Sequence, residues 1–350
     1  MRKLLVPAIL AVTLIFAVCS KNDDDGGTTP VEPPPEPARV VVDILAAAPT
    51  LSSVNEATWS NVDSFMVRIG HDANTYGKNN SLGEQDLVMK AILNSDTLYL
   101  WLRWHDPSGA DTLANRFKKM ALPNIWDYLN LIGQDMLFII FDAQDNGTEM
   151  ADCATMCHAD GMKTTGGGHA DVWKWMATAS VPARMAIDEW LSGTGSAADA
   201  TINDYAIRDN NNYGVPQWMH EDSVEIEVPV LYWDKAVTFK NDALLSDTTW
   251  PENYIMPGYV IDSTLFYLDT SRSLNDVRSI AEYNPTAHDW TVVFARPLNS
   301  GHIYDDVNMA GMDSIQLSLA ATSNHPDSVI APQTKPAHSG SEPFWMILKP

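Results

Sequence analysis

Two cysteines and the histidine that follows them, Cys153-Ala154-Thr155-Met156-Cys157-His158, form a stretch whose residue types and spacing could hold a cofactor covalently. Thiols about one helical turn apart can add across the two vinyl groups of a porphyrin, and the adjacent imidazole can bind its iron. That is the chemistry of a c-type haem attachment site. Three residues stand between the cysteines where two are usual, yet an i, i+4 spacing still puts both sulfurs on one side of a helix. The same thiols could oxidise to a local disulfide, but His158 would then have no role. The chain has three cysteines, and Cys19 belongs to an N-terminal pattern described below. The remaining pair cannot build a zinc set without scattered histidines.

Haem iron with His158 on one side leaves a sixth position. His169 follows Gly166-Gly167-Gly168, a run with the backbone freedom to carry it across a haem plane. His325, in Asn324-His325-Pro326, is expected in a late loop that a sandwich could bring to the same edge. Met162 could serve only if the chain turns sharply after Gly161. An open sixth site is the remaining alternative. Trp173 and Trp175, close behind the motif, are candidates for the wall of a haem pocket, where they would exclude water and raise the reduction potential. Buried sandwich core is the other fate open to them.

Other chemistries find little support. The chain carries no Walker-type loop, no dinucleotide glycine pattern after a strand and no His-Glu-x-x-His. The acidic pairs Glu221-Asp222 and Asp305-Asp306 are expected to face solvent from loops, since adjacent carboxylates point in different directions.

The N-terminus bears on the compartment. Met1-Arg2-Lys3 is a basic start, Leu4 to Val18 an apolar run too short for a membrane span, and Cys19 has a small residue, Ala17, two before it. This resembles a bacterial lipoprotein signal over residues 1–18, with Cys19 as the lipidated first residue of the exported chain. Residues 19–38, first acidic and then rich in Pro and Glu, predict an extended tether between membrane and domain. Attachment to the outer membrane, facing the periplasm or the surface, follows as an expectation, and export is also where c-type haem is attached. The formal net charge is −23, and loss of residues 1–18 would remove Arg2 and Lys3 and no acid, giving about −25. So acidic a chain disfavours nucleic acid as a partner and suits an encounter with a basic redox protein.

The elements that must position these residues are mostly strands. Val40–Leu45, Phe65–Ile69, Leu87–Leu93, Leu98–Trp104, Met136–Phe141, Val224–Tyr232, Tyr259–Leu268, Trp290–Arg296 and Ile315–Ala320 are apolar or alternating and rich in β-branched or aromatic residues. Leu98, Leu100, Leu102 and Trp104 share one face of a strand; Tyr99, Trp101 and Arg103 share the other. Asn94-Ser95-Asp96 predicts a hairpin turn. Helix is expected at Ala183–Leu191 and over Ala151–His158. The sum is an all-β chain, a β-sandwich with helical and loop insertions carrying a haem site, with one large domain over residues 39–350.

Several stretches, in order, are similar to a known family: Leu87 to Asp106, Gln134 to Asp142, the cysteine motif, Asp171-Val172-Trp173-Lys174-Trp175, and Trp290-Thr291-Val292-Val293-Phe294-Ala295-Arg296-Pro297-Leu298. They resemble the ethylbenzene dehydrogenase-related haem-binding domain, also described as the cytochrome c-552/dimethylsulfoxide-reductase-like haem-binding domain. The resemblance covers most of residues 45–330. It implies a β-sandwich that holds one haem and passes electrons as the small subunit or redox partner of an exported oxidoreductase, such as a molybdenum enzyme or another cytochrome. Some members hold b-type haem through Met and Lys without covalent attachment, and Met162 lies in the interval where that Met falls. The family often has His and Lys where this chain has Lys174 and Met176. Cys153, Cys157 and His158 favour the covalent version here.

The expectation is an electron carrier rather than an enzyme that transforms a substrate. The alternative is a surface lipoprotein whose sandwich binds carbohydrate or another ligand, with a Cys153–Cys157 disulfide and with Trp59 and Trp101 as stacking platforms.

Overall fold

The computed structural model describes residues 39–70, 84–106, 116–119, 126–129, 135–144, 168–192, 195–198, 207–212, 215–220, 231–232, 234, 236–238, 255–261, 276–302, 306–326 and 336–349. The expected leader and tether, Cys19, the helix expected over 151–158, Cys153, Cys157, His158 and Met162 lie outside them. Residues Pro37–Pro350 form one compact unit.

Two main sheets carry the fold, and their strands are numbered here β1 to β14 in chain order. The larger sheet contains β1 (Arg39–Val41), β6 (Met136–Asp142), β7 (Ala170–Met176), β8 (Ile187–Ser192), β9 (Gly195–Ala198), β12 (Ser314–Pro326), β13 (Pro336–Gly340) and β14 (Phe344–Ile347). Its order is β1-β14-β12-β6-β7-β8-β9, with β13 also on β12. The smaller sheet contains β2 (Asp43–Ile44), β3 (Phe65–Ile69), β4 (Gln85–Asn94), β5 (Thr97–His105), β10 (Arg278–Asn284) and β11 (Asp289–Pro297). Its order is β2-β4-β5-β11-β10, with β3 also on β4. Pairing is antiparallel except where β1 meets β14 and β2 meets β4. Short ladders within 116–129 and 207–261 lie outside these sheets.

Alternation makes these strands a sandwich. Leu98, Leu100, Leu102 and Trp104 of β5 point inward and pack in one core cluster with Leu137, Ile139 and Phe141 of β6, Trp173 and Trp175 of β7, and Leu317 and Leu319 of β12. Removing such side chains from water contributes about 1.5–3 kcal/mol each. The outer face of β5 is covered too. Tyr99 and Trp101 pack under Leu51, Val54, Trp59 and Val62, and the Trp101 indole donates to the Val54 carbonyl at 2.9 Å. Trp59 is 3% exposed and Trp101 8%, so neither presents the open ring face that sugar stacking needs. The β4–β5 hairpin closes as expected, with Asn94 paired to Thr97 and Ser95 in the left-handed region at φ 56°.

The helix expected at Ala183–Leu191 is displaced. Helix α1 spans Ala177–Ala183 and ends at Arg184, whose left-handed backbone (φ 57°, ψ 36°) stops it. Residues 187–192 form strand β8, because Ile187 to Leu191 pair across β7 from Lys174 to Ala170. Apolar residues spaced at helical intervals gave way to a ladder partner. His325, expected in a loop, lies on strand β12.

Candidate functional site

Strands β6 and β7 are the stems of the connection that carries the cysteine motif. They are adjacent and antiparallel, and their ladder ends at Asp142 opposite Ala170. One further bond, from the Ala143 amide to the His169 carbonyl at 3.1 Å, closes the stems. Cys153, Cys157, His158 and Met162 fall in the sequence between these two neighbouring strands, outside the described residues. His169 stands on the returning stem. Its ring stacks on Trp190 of β8, with centroids 5.1 Å apart and planes 16° from parallel. Strand pairing and this stack fix its place, where the glycine run alone suggested a freely moving residue.

Trp173 and Trp175 alternate with Asp171 on the inward face of β7, and both are fully buried. Trp175 meets Trp104 edge-on at 5.8 Å and Trp290 at 5.0 Å, while Trp173 lies 4.7 Å from Phe141 and 6.2 Å from Phe294. Such pairs add about 0.5–1.5 kcal/mol each beyond the area they bury. The structure puts these two rings in the inter-sheet core. Lys174, on the opposite face, is ion-paired with Glu189 of β8.

At the same end of β7, five charged residues meet between the sheets. Arg296, the last inward position of β11, is 1% exposed, and Asp171, Asp188, Asp276 and Asp306 are 0–4% exposed. The Arg296 guanidinium donates through Nη1 to Asp171 Oδ2 at 2.5 Å and through Nε to Asp276 Oδ2 at 3.4 Å. Its Nη2 lies 3.1 Å from Asp306 Oδ2, near enough to attract though not aligned as a hydrogen bond. Asp171 Oδ2 also accepts the Val307 amide at 3.0 Å, tying the segment after β11 to β7. The guanidinium stacks over the Trp173 ring at 5.6 Å.

The charges do not balance. One guanidinium faces four carboxyl groups in a site closed to water, where an uncompensated charge costs several kcal/mol. Burial pushes Asp188 well above the ordinary carboxylate range, and the Asp171 and Asp276 charges push the same way. Burial raises Asp276 against the pull of Arg296, and raises Asp306 to about 8. For Arg296, burial opposes the charge, but Asp171 and the other three carboxylates outweigh it and hold the guanidinium protonated.

None of these five was singled out from the sequence for chemistry, and Asp306 corrects the expectation that the Asp305-Asp306 pair faces solvent. A signal existed. Asp171 has the parity of Trp173 and Trp175, and Arg296 that of Trp290, Val292 and Phe294, so each places a charge at an inward position of a buried strand.

The model of the family described as ethylbenzene dehydrogenase matches residues 56–324. The chain belongs to the ethylbenzene dehydrogenase family. The match encloses β3 to β11, the cysteine motif and all five residues of the charged cluster, and it relates the chain to oxidoreductase subunits. Among solved structures, one from Bacteroides uniformis ATCC 8492, whose assignment as a carbohydrate-binding protein is provisional, aligns over 89% of this chain and 100% of that one. Its identity is 5% and its TM-score 0.35, too low to bear on function. No curated protein matches the chain. Among the described residues, no helix is long and apolar enough to cross a membrane.

Proposed function

We propose that this member of the ethylbenzene dehydrogenase family is an exported, lipid-anchored haem protein that carries electrons to or from an oxidoreductase. The observation that carries the reading is Cys153-Ala154-Thr155-Met156-Cys157-His158 inside the family match, on a connection whose stems are two hydrogen-bonded strands. The donor set fits the cofactor: two thiols for thioether bonds and an imidazole for iron, in the order c-type attachment uses. Haem supplies the ability to take up and return one electron. Cys153 and Cys157 would hold it through thioether bonds, His158 would give a nitrogen to its iron, and His169, Met162 or His325 would be the candidate for a second ligand. Cys19 and the tether of residues 19–38 join the domain to the outer membrane, and the acidic charge favours a basic docking surface on a molybdenum enzyme or another cytochrome.

The test is expression with the haem-attachment machinery, followed by acid-acetone extraction. Haem that stays with the polypeptide, and is lost from a Cys153→Ala, Cys157→Ala variant, supports the proposal. Extractable haem moves the reading to b-type ligation. A colourless protein with Cys153 and Cys157 joined as a disulfide overturns it in favour of a ligand-binding lipoprotein.

A further inference from the structure

The imbalance of charge between the sheets has a chemical remedy that the haem reading does not involve. From Asp171, Asp188 and Asp306, one carboxylate oxygen each can be chosen such that all lie within 4.8 Å of one another. Two oxygens on opposite sides of a calcium ion, each at 2.3–2.6 Å, span about 4.6–5.2 Å. An all-carboxylate set is the donor chemistry of calcium, magnesium or manganese rather than of copper or zinc.

The oxygens left over by Arg296 point the same way. The guanidinium faces Oδ2 of Asp171, Asp276 and Asp306. Asp171 Oδ1, Asp306 Oδ1 and both oxygens of Asp188 have no hydrogen-bond partner. Asp188 is 0% exposed, so no bulk water completes its shell. A fully buried carboxylate with neither oxygen bonded is rare in a folded chain and calls for an ion or a proton. Four carboxylates and one guanidinium leave a net charge of −3, and a divalent cation would offset two of those charges.

We infer that Asp171, Asp188 and Asp306 bind one calcium ion between the two sheets, on the side of the cluster away from Arg296. The ion ties β7 and β8 of the larger sheet to the segment that follows β11 of the smaller one, so it acts as a structural clamp. Magnesium matches less well, because it demands near-ideal octahedral geometry at about 2.0–2.1 Å and is usually bound through one or two carboxylates, whereas three converge here.

The experiment uses the full chain, unfolded and refolded once in chelator and once with millimolar calcium, then desalted. Elemental analysis should find one calcium per wild-type chain, and calcium should raise Tm by roughly 5–10 °C over the chelated sample. Asp188→Asn should hold no calcium and show no calcium-dependent shift. Should that variant fail to fold, the wild-type metal content and shift decide alone. Equal Tm in both samples with no bound metal, or magnesium or manganese found in place of calcium, overturns the inference. Haem content is not part of the readout, so this outcome stands apart from the test of the cysteine motif.

Discussion

Replacing Arg296 with Gln removes the cation from a site that holds four carboxyl groups and is closed to water. Glutamine keeps hydrogen-bonding capacity and much of the length, so the change isolates the charge. Breaking a buried pair by removing one partner costs about 3–5 kcal/mol, since it leaves an uncompensated charge behind. In a domain of this size each kcal/mol lowers Tm by roughly 2–4 °C, so a fall on the order of 10 °C is expected at pH 8. The loss should shrink on acidification. A proton neutralises a stranded carboxylate, and near the unfolded carboxyl value of about 4 the charge-dependent penalty disappears. Thermal unfolding by circular dichroism in chelator, wild type against variant at pH 5 and pH 8, measures both numbers. A fall below about 2 °C at pH 8, or the same fall at both pH values, would refute the claim that Arg296 works as the counter-charge of this cluster.

Two other predictions concern the same strands. In chelator, wild-type stability should decline as pH rises from about 4 towards 8. Asp188, Asp276 and Asp306 keep protons in the folded state that the unfolded chain releases near 4, with Asp306 releasing its own at about 8. The slope is about 1.4 kcal/mol per pH unit for each extra proton held; urea titration across that range measures it, and a flat or rising profile contradicts the buried-acid account. Lys174→Ala should leave the visible spectrum of the haem-loaded protein unchanged, because the Lys174 amine is committed to Glu189. A shifted Soret band in that variant would instead place Lys174 on the iron.

The sandwich was legible because its strands obey a two-residue period that tertiary packing reinforces. The alternation of Leu98 to Trp104 gives the inward face of β5, and Asn94-Ser95-Asp96 marks its hairpin. The stretch Ala183–Leu191 misled because its apolar positions suit either period. What settles it is the partner strand β7, more than ten residues away in sequence, which a local pattern cannot see. Trp59 and Trp101 show a similar limit. Strand alternation sets Trp101 on the outer face of its sheet, but only the fold of residues 51–62 over that face turns a surface tryptophan into a second core.

The charged cluster is hidden from the sequence for a different reason. Its acids come from four separate places: the inward face of β7, strand β8, the approach to β10, and the segment after β11. No spacing rule links them, and Asp306 looked like half of a solvated pair. Yet parity alone puts Arg296 inside, and a lone inward guanidinium implies acids opposite it, since an unpaired buried charge would cost a large fraction of an ordinary domain's stability. A count that starts from Arg296 predicts at least one inward carboxylate on the facing sheet, and Asp171, in register with Trp173 and Trp175, is the one that the alternation of β7 supplies. The surplus beyond that single carboxylate is what no local pattern in the sequence foretells.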